Sequence, residues 1–235
     1  MTVGVETKTF VRALWAAMAV MVLLGLLRDV LRSFFGMDRM GGMGPLVDLD
    51  EEYNLPTLFS VVLLLLASVA AFAACKLFSP EAVSRKWGWY LLSAGFLVMA
   101  ADEFVGLHDR IGKIAKEVWG DDAFHGTFRF VWPIPALGLL IVLACIFVPF
   151  LRHLPTALRR RLCAAGAVYV GGAVGMEMVG GWYYEHVAHA DHSDFGYSLL
   201  TVTEEGMEMA GVILFIATLL REVREGAGSK TLELR

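Results

Sequence analysis

The stretch GGAVGMEMVGGWYYEHVAHADHSDFGYSLLTVTEEGMEMAG, Gly171 to Gly211, decides how this chain is read. It joins the end of one apolar run to the start of another through a polar, histidine-rich connection. Each run carries the same phrase, GMEMVG at Gly175–Gly180 and GMEMAG at Gly206–Gly211, so that Glu177 and Glu208 fall inside apolar sequence. A third run carries ADEFVG, with Asp102 and Glu103. In all three a glycine follows the glutamate by three residues. An unpaired charge inside an apolar helix is costly, so an acid in that position marks a site.

Outward from this stretch, the chain of 235 residues is 57% hydrophobic, with a mean hydropathy of +0.61. Soluble domains hold roughly 45–50% apolar residues. The charged residues gather between apolar runs of about 20 residues, the length that crosses roughly 30 Å of hydrocarbon. These features predict an all-α fold, a six-span transmembrane helical bundle forming one integral membrane domain over residues 1–235. The expected spans are 10–31, 57–78, 87–107, 130–151, 162–184 and 197–220. A short interfacial helix is expected between spans 3 and 4, because RIGKIAKEVW places Ile111, Ile114 and Val118 at helical spacing. The net charge of −4 carries no basic stripe, which argues against a nucleic-acid partner. Cys75, Cys145 and Cys163 form no C-x-x-C pair and read as small apolar-run residues.

Six spans place both termini on one side. Thirteen of the twenty Lys and Arg residues then share that side, with Arg159–Arg161 as the clearest cluster. Basic loops face the cytoplasm, so both termini are expected inside, in a plasma (inner) membrane.

This topology converts to depth at about 1.5 Å per residue. Asp102 and Glu103 lie roughly 22 Å up span 3, and Glu177 stands about as high on span 5. Glu204, Glu205 and Glu208 lie roughly 10–16 Å below the top of span 6. Three helices thus deliver acids to one layer in the outer half of the membrane. His108 is expected roughly 9 Å above Asp102. His186, His189 and His192 follow at i, i+3 spacing, able to share a helix face, and form a second layer at the mouth.

Acids with no Lys or Arg at their depth must be protonated, hydrated or neutralised by a cation. Carboxylates with histidines suit hard or borderline divalent ions. Asp102, Glu103, His108, Glu177, His186, His189 and Glu208 are therefore the expected ligands of a divalent metal, zinc, iron or manganese ahead of copper. Glu204 and Glu205 are the expected general bases of a metal-dependent hydrolase or oxidase acting on a lipid-like or small substrate at the outer leaflet. Two other classes stay open. One is a cation or proton transport protein, which needs a polar path through the membrane. The other is a structural or assembly subunit, an oligomer or a partner in a membrane complex, with protonated acids holding helices together. The acidic run Asp48–Glu52 reads as a solvated loop, and His125 as a surface residue.

Overall fold

A computed structural model describes the backbone of residues 3–37, 39–78, 83–120 and 123–233. The described residues are helical, with no strand among them. In chain order they form α1 (Val3–Phe35), α2 (Leu55–Phe78), α3 (Val83–Val105), α4 (Leu107–Trp119), α5 (Pro133–Arg152), α6 (Thr156–Val170), α7 (Glu177–His186) and α8 (Phe195–Glu233). A single π-turn, Gly171–Met176, joins α6 to α7. The turn expected after span 2 lies in part outside the described residues.

Among the described residues, five helices are long and apolar enough to cross a membrane: Glu6–Phe35, Leu55–Lys76, Lys86–Val105, Pro133–Arg152 and Thr156–His186. They belong to a membrane-embedded protein. Helix α8 is the longest, at 39 residues, but Glu204, Glu205 and Glu208 interrupt its apolar character. It is nevertheless the centre of the packing. Met209, Val212, Ile213, Phe215, Ile216 and Leu219 are all buried, and α1, α2 and α6 pack around them.

Small residues allow these approaches. Where α6 meets α8, a Cβ on Gly211 would lie 2.7 Å from the Tyr169 backbone nitrogen, and one on Gly172 would lie 2.8 Å from the Glu204 carbonyl oxygen. In lipid the hydrophobic effect between helices is absent, so such close packing and buried hydrogen bonds supply the association energy. Helices α2 and α3 show the second device: the Ser68 hydroxyl donates to the Ser93 carbonyl at 2.8 Å, and both serines are buried.

Several expected boundaries move. Arg159–Arg161 lie within α6 rather than in a loop. Helix α3 ends at Val105, because Gly106 adopts a left-handed φ of 64° and turns the chain into α4. The loop before α2 is solvated only in part: Asp50 and Glu51 are exposed, but other residues turn inward. Asp48 is buried and pairs with Arg28, which also holds Asp29 at 2.7 Å. Asn54 then caps α2: its Oδ1 accepts from the Thr57 amide at 3.1 Å, while its Nδ2 donates to the carbonyls of Asp48 and Glu51.

Candidate functional site

The acids of α3, α7 and α8 converge at one end of the bundle. Glu208 faces Glu103, with the Tyr169 hydroxyl in hydrogen-bonding contact with Glu208. These three line a small cleft together with Ser60, Leu63, Leu64, Met209 and Val212. Its free space is about 10 Å³, near the smallest volume that holds a water molecule. One turn closer to the loops, Glu204 lies beside Glu177. Glu177 also accepts from the Trp132 indole N–H at 2.9 Å. Glu205 lies within electrostatic range of Glu208, Glu103 and Asp50. The strongest charged neighbours of Glu204, Glu205 and Glu208 are other carboxylates, whereas that of Glu103 is His108, ahead of Glu52 and Asp102.

The π-turn sits next to this layer. It ends at Met176, so Glu177 is the first residue after the irregular turn. One extra residue in a helical turn re-aims the side chains that follow, and such bulges gather at functional sites.

The expected histidine layer divides. His108 does not rise above Asp102. The Gly106 turn brings it back, so that Asp102 accepts from the His108 amide at 3.0 Å and lies 3.1 Å from its Nδ1. His186, His189 and His192 do not share a helix face, because α7 ends at His186 and His189 follows with a left-handed φ of 51°. His186 stacks on Trp182, its Nδ1 3.0 Å from the Trp182 carbonyl oxygen, and His189 is exposed. Neither is brought to the acids. His192 instead reaches Asp50, with Nδ1 3.6 Å from Oδ2, and packs against Tyr184 and Tyr197.

Sequence reasoning missed the loop that covers the site. Asp50 accepts from the Tyr197 hydroxyl at 3.3 Å. The Glu52 carboxylate lies against Gly106, leaving no room for a Cβ there, and the Tyr53 hydroxyl donates to the Val105 carbonyl at 3.1 Å. Asp50 and Glu52 thus add two carboxylates above Glu205 and Glu103. The only sequence signal was the acidic run Asp48–Glu52 on the same predicted side as the buried acids. His125 also has a partner: Glu185 lies 3.0 Å from its Nδ1 and accepts from the Gly126 amide at 2.6 Å, tying the α4–α5 connection to α7.

Residues 13–223, which include every acid of this site, match the family described as Domain of unknown function (DUF8692). The chain belongs to the DUF8692 family. No curated protein and no solved structure matches it.

Within this DUF8692 chain, no three His, Cys, Asp or Glu side chains among the described residues stand close enough to grip one ion in their present rotamers. What the arrangement offers is a set of oxygen donors beside a water-sized space. On the other side it is closed by apolar packing. Below Glu208, the buried residues of α8 from Met209 to Leu219 meet Leu63, Leu64, Ala67 and Ala71 of α2, and Phe96 of α3 packs on Phe215 at 4.7 Å between ring centres.

Proposed function

We propose that this DUF8692 chain is a six-span membrane protein that captures a divalent cation from the side on which Asp50, Glu52 and His192 lie. Helix α8 is the sixth span; six spans put both termini on one side, and the basic residues gathered there, Arg159–Arg161 among them, make that side the cytoplasm. The observation that carries the proposal is the Glu103–Glu208–Tyr169 cleft. Two carboxylates from different helices, a phenol and Ser60 line a space of about 10 Å³, with Glu52, Asp50 and Glu205 nearby. The polar side chains of the cleft, set beside the apolar Leu63, Leu64, Met209 and Val212, carry oxygen donors, which suit a hard ion, so manganese ranks ahead of zinc or iron. Glu103 and Glu208 are the proposed ligands. Asp102 and His108 position the turn beside them. Of the two expected bases, Glu204 is engaged by Glu177, which leaves Glu205 as the acid free to move a proton at a bound water.

The apolar packing below Glu208 argues against transport through the bundle, which needs a polar path. The close approach of Glu177 and Glu204 favours a second reading. Two carboxyl groups side by side can share a proton, and protonated acids alone would make this layer helix-joining glue for an assembly subunit.

Calorimetric titration of the full chain in nanodiscs with Mn²⁺ separates the two. The cation reading expects one ion per chain and, for Glu103→Gln or Glu208→Gln, a loss of affinity beyond the 10–100-fold that outer-shell changes cost. Equal, weak binding by the parent chain and both variants would overturn it in favour of protonated acids.

A further inference from the structure

Helix α5 is held at its two ends. At the end away from the acids, Phe150 is buried against α3: a Cβ on Gly88 would collide with the Phe150 ring, and Trp89 stands edge-on to that ring at 5.2 Å between centres. At the acid end, Trp132 donates to Glu177 at 2.9 Å and lies 5.4 Å from the His108 ring. Pro133, next to it, is buried. Between these ends, from Ile134 to Pro149, no residue of α5 is buried. That includes Ala136, Leu140 and Leu143, which share the Trp132–Phe150 face at 3.6 residues per turn. Helix α3 shows the same gap from its own side. Gly88, Gly95 and Asp102 point the same way to within about 40°. Gly88 touches α5, and Asp102 reaches it through His108. A Cβ on Gly95, midway between them, would meet nothing within 4 Å. Leu91 and Met99 on that face are only half-buried.

The two helices therefore bound a groove that runs roughly 20 Å from Gly88 to Asp102, along helices long and apolar enough to cross a membrane. Its walls are apolar. Polar atoms enter only at the acid end, where the Asp102 and His108 side chains are 34% and 31% exposed. We propose that the α3–α5 groove binds one acyl chain of a membrane phospholipid. Hydrocarbon is the solvent at this height, and an empty groove would forfeit the dispersion contacts of its lining. The polarity of the groove matches an amphiphile whose chain runs toward Phe150 and whose ester end meets Asp102 and His108. A second copy or a partner helix does not fit. A helix is about 10 Å across, and these two helices touch at one end and are bridged at the other. The proposal rests on the membrane-spanning reading and not on cation capture. It brings the ester end of a lipid beside Glu103, the residue after Asp102.

The test is photolabelling of the full protein in metal-free nanodiscs containing a phosphatidylcholine with a diazirine in its acyl chain, read by peptide mass spectrometry. Leu140 and Leu143 report the groove. Ile141 and Val142, exposed on the outward face of α5, report bulk lipid. As the share of diazirine lipid rises, labelling at Leu140 and Leu143 should reach a plateau while that at Ile141 and Val142 keeps rising. A proportional rise at every position would mean bulk lipid only and would overturn the proposal. Unlabelled Leu140 and Leu143 would overturn it as well, since protein would then cover them. Gly95→Leu fills the groove from the α3 side and should melt near the parent protein, because a Cβ there has open space. It should lose the labels at Leu140 and Leu143 and keep those at Ile141 and Val142. Gly138→Leu, on the outward face, should keep the groove labels. Groove labels that survive in folded Gly95→Leu protein would contradict the assignment.

Discussion

Gly211 of α8 packs directly onto Tyr169 of α6: a Cβ at position 211 would stand 2.7 Å from the Tyr169 Cβ and from its backbone nitrogen. The same contact holds the Tyr169 hydroxyl against Glu208, one turn away on α8. The glycine three residues after that glutamate is therefore part of how the acid is placed.

Gly211→Val should destabilise the fold by about 1–3 kcal/mol, the usual range for forcing bulk into a packed core. Rigid backbone, not a yielding side chain, stands in the way. Thermal unfolding in detergent measures it. Gly175→Ala is the control, because a Cβ there meets nothing within 4 Å; its melting temperature should stay near that of the parent chain.

The Arg28 guanidinium is buried between Asp29 and Asp48 and links α1 to the covering loop. Burial pushes the Asp48 carboxyl above its ordinary range, while the Asp50 amide and Arg28 pull it back. Removing the cation leaves a buried charge without its partner, which costs about 3–5 kcal/mol. Arg28→Met should therefore unfold at clearly lower temperature at pH 7. The loss should shrink at acid pH, where Asp48 takes up a proton, and melting curves at the two pH values check both parts.

His192 joins the two loops over the site. The Asp50 carboxylate beside it raises its pKa above the ordinary 6.5, against the effect of burial. Arg32 opposes this and Asp191 supports it. A raised histidine stabilises the fold when protonated. The contribution is complete below about pH 6.5 and disappears as pH rises through the raised value. The difference in melting temperature between the parent chain and His192→Gln should be greatest at low pH and fade above that range. A difference that grows with pH would contradict the contact.

The helices were legible because apolar length is a local property. Expected span 57–78 corresponds to Leu55–Phe78, and span 130–151 to Pro133–Arg152. The convergence of Glu103, Glu177 and Glu208 followed from rise per residue, which is equally local. What stayed hidden depends on contacts distant in sequence or on single backbone angles. Arg32 donates to the His192 carbonyl across 160 positions at 2.7 Å, and no periodicity announces such a contact. The left-handed turns at Gly106 and His189 decided where His108 and His189 went. Helical arithmetic assumed that both stayed in register. Nothing in the apolar pattern marks Tyr169 or Trp132, although each presents a polar group to a glutamate of the site.

Elemental analysis of the full chain, purified without added metal, tests the central claim most directly. The account predicts close to one divalent ion per chain, manganese foremost, and loss of that ion from Glu103→Gln/Glu208→Gln protein that still folds. A parent chain free of metal, or a double variant that keeps its ion, would contradict it.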